Sequence, residues 1–124
     1  MPFQLTVLAS ERRIEVTYPE APGALEVTDY GLRLHKAINE MKGTWCILVD
    51  QRQLRFMAPE VQRNMSTLAA YAQARGMRRG ARLVSDAVSG LQVWRMHKDA
   101  GLTIRTETFT DREAALAWLY AEVF

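Results

Sequence analysis

Apolar positions along the chain switch between two periods, and the switches mark its elements. Residues 4–8 and 14–18 alternate or carry β-branched side chains, with Ser10-Glu11-Arg12 between them. Period-two patterning across a short polar link predicts an antiparallel hairpin, with Leu5, Val7, Ile14 and Val16 turned inward. Pro19 and Pro22-Gly23 then interrupt regular structure. Beyond them the period lengthens. Tyr30, Leu34, Ala37, Ile38 and Met41 share one face of a helix that Thr28 can cap and Gly43 can end. Residues 44–49 are apolar on both alternations, Trp45, Ile47 and Val49 on one side and Cys46 and Leu48 on the other. That is the pattern of a central parallel strand covered on both faces.

The second half repeats the alternation of periods. Pro59 suits the first turn of a helix, Glu60 complements its dipole, and Val61, Met65, Leu68 and Ala72 form its stripe before Gly76. A short strand is predicted over 81–84. A third helix, capped by Ser85 or Asp86, carries Ala87, Leu91 and Trp94 on one side and ends at Gly101. A strand around 102–106 follows. Thr110-Asp111-Arg112-Glu113 then reads as a capping box opening a last helix with Leu116, Leu119, Tyr120 and Val123 inward. The order β-β-α-β-α-β-α-β-α predicts an α/β fold with a mixed, mostly parallel sheet and an antiparallel N-terminal hairpin.

Composition narrows the class. A length of 124 residues fits one domain at roughly 100–200 residues per domain, so residues 1–124 are read as one domain. A charged fraction of 24% and a net charge of +2 are ordinary for a globular chain and demand no anionic partner. The longest apolar stretch falls far short of the ~18 residues of a membrane span. The N-terminal segment lacks the pattern of a secretory signal, and Cys46 has no second cysteine to pair with, so the cytoplasm is the expected compartment.

The element order, the strand Trp45-Cys46-Ile47-Leu48-Val49-Asp50 and the ending Phe109-Thr110-Asp111-Arg112-Glu113-Ala114-Ala115-Leu116-Ala117-Trp118-Leu119 resemble the SpoIIAA-like family. That is a STAS-like group of small bacterial proteins, related in fold to CRAL-TRIO lipid-binding domains. The segment 83–118 carries most of the likeness. The resemblance implies a STAS-like fold and a non-enzymatic binding or regulatory role. In the anti-sigma-factor antagonists of that group, a phosphorylatable serine opens the helix after the central strand. Here residues 51–59 contain no serine or threonine, and the first hydroxyls are Ser66 and Thr67, inside the predicted helix. The CRAL-TRIO likeness implies instead a carrier of a small apolar or lipid-like ligand.

Residue chemistry points to no catalyst. His35 and His97 lie on different predicted helices without metal-ligand spacing, so no metal or cofactor is expected. Cys46 sits in the most apolar strand, where burial suits a small hydrophobe better than a nucleophile. No phosphate-binding glycine loop is present. Arg52, Arg55, Arg63, Arg75, Arg78, Arg79 and Arg82 oppose only Glu60, and residues 75–82 are read as a basic turn before a strand. The turn lacks interleaved aromatics, which disfavours nucleic acid as its partner. Open α/β sheets place ligands beyond the carboxyl ends of their parallel strands. That rule selects Asp50, Arg52, Ser85 and Asp86 as the mouth of a candidate site, with Arg52 holding an anionic group. Trp118 falls off the last helix's stripe and is assigned to core packing, with a pocket or a subunit interface as alternatives. Partners would be a second copy, another protein or a small apolar molecule.

Overall fold

The computed structural model describes residues 3–85 and 105–121. Its elements are β1 (Gln4–Leu8), β2 (Arg13–Thr17), α1 (Ala24–Glu40), β3 (Trp45–Asp50), α2 (Pro59–Ala74), β4 (Met77–Leu83), β5 (Arg105–Phe109) and α3 (Arg112–Tyr120). The strands form one sheet in chain order, β1 antiparallel to β2 and the rest parallel. This is the mixed, mostly parallel sheet that the alternation of periods predicts. No helix among the described residues is long and apolar enough to cross a membrane.

Strand alternation sorts side chains onto two faces. Ile14 and Val16 of β2, Trp45 and Ile47 of β3 and Met77 of β4 pack under α1 and α2, against Val27, Tyr30, Leu34, Val61 and Met65. Leu5 and Val7 of β1 lie half-buried against the same core, as the hairpin register Leu5↔Val16 and Val7↔Ile14 requires. Cys46, Leu48, Ala81 and Leu83 point the other way, onto Ala115 and Leu119 of α3. Trp45, Cys46, Ile47 and Leu48 are all buried, so β3 is the interior strand that apolar residues on both alternations require.

Several boundaries differ from the sequence-based reading. α1 starts at Ala24, not after Thr28, because the Glu26 carboxylate accepts the Gly23 backbone N–H (3.1 Å) and Val27 already belongs to the buried stripe. Thr28 lies inside the helix, its hydroxyl donating to the Ala24 carbonyl. The cap of α3 is Asp111, whose carboxylate accepts the Ala114 N–H (2.9 Å), and not Thr110. β4 begins at Met77, four residues before the predicted 81–84, and β5 runs to Phe109 rather than ending at 106. Parallel pairing to both neighbours from Arg79 onward, after a bulge at Arg78, overrides the poor strand propensity of the arginines in β4. The third helix, with Asp86, Trp94 and His97, falls outside the described residues.

Among the described glycines, Gly76 is the most tightly constrained. Its φ is +108°, and a Cβ there would stand 2.5 Å from the Gly43 carbonyl. That turn delivers the chain from α2 into β4, with the Trp45 indole donating to the Arg75 carbonyl (3.0 Å) beside it.

Candidate functional site at the carboxyl ends of the strands

Of the expected mouth residues, Asp50 and Arg52 meet each other. Asp50 accepts three hydrogen bonds from Arg52: from Nε (3.0 Å), from Nη2 (2.8 Å) and from the backbone N–H (3.0 Å). Burial works to raise the Asp50 carboxyl, but the Arg52 hydrogen bonds and charge, with Arg112 behind them, hold it below the usual carboxylate range. Arg52 therefore holds its own neighbour and not an incoming anion. Ser85 is exposed just beyond β4, and Asp86 lies outside the described residues. Trp118 is half-buried against Phe109, with Arg79 over one part of its ring (4.8 Å) and Arg105 at 5.8 Å. Its place is packing on the α3 face.

Nor do residues 75–82 form a basic turn. Only Arg75 and Gly76 precede the strand, and alternation sends the other arginines to different faces. Arg79 goes to α3, where it donates to the Trp118 carbonyl. Arg82 goes to the α1–α2 side and is 3% exposed. Arg55 pairs with Glu20 (3.2 Å), and Arg75 lies over the Tyr71 ring. The arginine-rich stretch is thereby scattered rather than gathered into one surface.

The site that the strand ends do build uses other residues. Tyr18 continues the Ile14–Val16 alternation just past β2, and Gln51 continues Trp45–Ile47–Val49 just past β3. Arg82 pairs in register with Val49 and shares its side of the sheet. Their backbones are tied across the sheet, Tyr18 N–H to the Asp50 carbonyl (2.9 Å) and Gln51 N–H to the Leu83 carbonyl (2.8 Å). Three polar side chains thus rise from adjacent parallel strands under α1 and α2, each almost wholly buried. Tyr30 of α1 joins them, stacked on Phe3 (4.3 Å) and edge-on to Tyr18.

Their chemistry follows from burial. Loss of water pushes the Tyr18 phenol up to about 12, against the opposing pull of Gln51, Arg82 and Tyr30. Tyr30 is pushed well above the usual tyrosine value by burial and by Tyr18. Both are protonated donors at neutral pH. Tyr18 spends its proton on the Met65 sulfur (3.6 Å), a weak acceptor. Burial lowers Arg82 to about 10, Tyr18 and Glu107 opposing, so the guanidinium stays charged near neutrality. The Oε1 of Gln51, in a residue only 1% exposed, has no hydrogen-bond partner among the described residues.

A cavity of about 50 Å³ reaches this row at Tyr18, lined also by Tyr30, Ile47, Val49, Met65 and Leu68 among others, with Gln51 and Arg82 outside its lining. A second hollow of about 270 Å³ runs between α1 and α2, lined by Val27, Thr28, Gly31, Asn64, Thr67 and Leu68. Leu68 belongs to both. Period-two counting from β2 and β3 could have singled out Tyr18 and Gln51. Arg82 lies in the strand predicted over 81–84, but the reading of residues 75–82 as a basic turn masked its place on the α1–α2 side.

Other candidate chemistry is absent from this neighbourhood. Cys46 is fully buried on the α3 face, and burial raises its thiol. His35 stacks on Tyr71 at the helix surface (3.8 Å). Among the described residues no three His, Cys, Asp or Glu side chains gather as metal ligands.

No family model and no curated protein matches the chain. Among solved structures it is similar to an uncharacterized protein of the DUF3478 family with a SpoIIAA-like fold from Shewanella loihica PV-4. The TM-score is 0.78 at 13% identity, over 96% of this chain and 94% of that one. At that identity the likeness is one of architecture, and the fold of this chain is SpoIIAA-like.

Proposed function

We propose that the chain is a non-enzymatic binding module that holds a small molecule between α1, α2 and the carboxyl ends of β2, β3 and β4. One observation carries this reading: the Gln51 amide is sealed in the core with its Oε1 unpartnered, in a row with Tyr18 and Arg82. A buried polar group left unsatisfied costs about 1–3 kcal/mol, and a ligand that bonded to it would offset that cost. The position agrees with the place where open α/β sheets collect ligands. A phosphoserine switch has little support here, since the Ser66 and Thr67 hydroxyls are turned back onto the Gln62 and Arg63 carbonyls of α2. The inner cavity, at about 50 Å³, is smaller than the roughly 150 Å³ that accommodates a benzene, so a lipid-like ligand needs the α1–α2 groove as well.

Native mass spectrometry of gently isolated protein tests the reading. A mass increment that disappears on denaturation, and is missing from Gln51→Leu, is the expected result. A bare chain mass in every preparation counts against it.

Self-association is a second reading, favoured by Leu25 and Leu32, seven residues apart on α1 and 87% and 71% exposed. Light scattering across concentration, with Leu25→Asp/Leu32→Asp as the control, would show a concentration-dependent mass lost in the variant. A monomeric wild type at all concentrations removes it.

A further inference from the structure

We infer that the inner cavity takes a small neutral molecule with one acceptor oxygen on a short hydrocarbon body, a ketone in its simplest form. Its oxygen accepts the Tyr18 O–H in place of the Met65 sulfur, and its body passes Leu68 toward the α1–α2 groove. This rests on the small-molecule reading above and adds the ligand's chemical class.

The head is selected by hydrogen bonding. Tyr18, Tyr30 and Met65 all line the inner cavity. Gln51 and Tyr30 direct donors at the Tyr18 oxygen, and Tyr18 in turn donates to the Met65 sulfur (3.6 Å). Hydrogen bonds in such a series polarise one another. This one ends on a thioether, a weak acceptor, and a carbonyl oxygen in the cavity would end it better. Burial pushes the Tyr18 phenol up to about 12 and raises Tyr30 as well, so both remain donors at neutral pH.

The walls select against charge and against water. No charged side chain is among the described residues that line the cavity or the groove. A carboxylate there loses its water without a cation in the lining, which costs far more than burying a neutral carbonyl. Buried water typically keeps about three hydrogen bonds. The lining side chains offer only two hydroxyls besides thioethers, and Leu34, Ile47 and Val49 add hydrocarbon. A ketone needs one donor and an apolar wall, and the cavity supplies both.

The length of the body is selected by space. The inner cavity, about 50 Å³, takes a head of a few atoms. Leu68 lines both this cavity and the groove of about 270 Å³, so its side chain stands where the two spaces meet. Gly31 leaves that side chain room, since even a Cβ there would stand 3.6 Å from Leu68 Cδ2. A leucine rotamer change is a fast, low-cost motion that would join the two spaces.

Titration of the purified full chain with 2-pentanone and with pentanoate at neutral pH, followed by protein NMR shifts, tests this. The probes match in length and differ in charge. The ketone is expected to bind about tenfold tighter than pentanoate, or more. Tyr18→Phe removes only the donor and should weaken the ketone about five- to tenfold. Met65→Leu removes the competing sulfur at nearly constant volume and should tighten it. Side chains that merely fill space would not give these opposite signs. Pentanoate binding as tightly as the ketone, or ketone affinity unchanged in Tyr18→Phe, overturns the assignment. Should Tyr18→Phe fail to fold, Met65→Leu decides, and unchanged or weaker ketone binding overturns it. If neither probe binds while native spectra retain a mass increment, this inference falls and the small-molecule reading stands. Bare chain in those spectra as well ends both.

Discussion

The two faces of the sheet use polar residues in opposite ways. On the α3 face the charges of β2 are answered. Arg13 donates to Glu15 (2.8 Å) and to the Tyr120 hydroxyl (2.9 Å) and pairs with Glu11 (2.8 Å). Arg112 bridges to Glu15 (2.8 Å), and Tyr120 donates on to the Glu11 carbonyl (2.7 Å). Burial works to lower the Arg13 guanidinium, but the Tyr120 and Glu15 hydrogen bonds prevail and raise it. This ring of ion pairs surrounds a small core and closes it. On the α1–α2 face the core is larger and more aromatic, yet it contains a glutamine with an unpartnered oxygen and a phenol donating to sulfur. A satisfied network near water reads as structure. A poorly matched one in the core reads as a place kept for something else.

That contrast can be broken by substitution. The largest effect is expected from Leu119→Ala, which removes a side chain 1% exposed at the centre of the α3 core. A loss of about 2–5 kcal/mol in urea unfolding is expected, with ligand retention in native spectra unchanged. A change in retention would mean that the faces are not independent. Next is Arg13→Ala, which leaves Glu15 to Arg112 and removes the donor to the Tyr120 hydroxyl oxygen. It should cost about 1–3 kcal/mol, again without touching binding. Gln51→Leu should carry the opposite sign. It removes the unpartnered amide and is expected to stabilise the protein by up to about 1 kcal/mol while lowering ligand retention. Clear destabilisation would place Gln51 among structural residues.

The smallest effect concerns pH. Asp50 is held below its ordinary value, so its pairing with Arg52 stabilises the fold fully above about pH 4 and fades as pH falls through the lowered value. Arg52 is half exposed, and the pair should contribute less than about 1 kcal/mol at neutral pH. The difference in Tm between wild type and Arg52→Ala should therefore shrink toward zero in acid. A difference that persists at low pH would show that Arg52 acts through packing instead.

Most of the architecture was legible in one dimension because burial writes a period into the chain. Residues 44–49 declared an interior strand, Pro59 and Gly76 marked the limits of α2, and the hairpin register followed from alternating apolar side chains. The site was less legible. Asp50 and Arg52 were selected for being polar and near a strand end, but both occupy the alternation opposite to Val49 and so satisfy each other on the α3 face. The arginines of β4 hid the first half of the strand, residues 77–80, since charge in a short segment resembles a turn until neighbouring strands supply its hydrogen bonds.

The sequence by itself determined which segments coil and which extend, because periodicity and turn residues act locally. It also determined that no nucleophile, metal set or phosphate loop is spelled out in its motifs. Only the tertiary structure decided which polar residues share a face. Tyr18, Gln51 and Arg82 lie more than thirty positions from one another where the chain passes β3 and β4, and parallel pairing alone brings their strand ends side by side. Sheet register is a long-range property, and the chemistry of this protein is written in it.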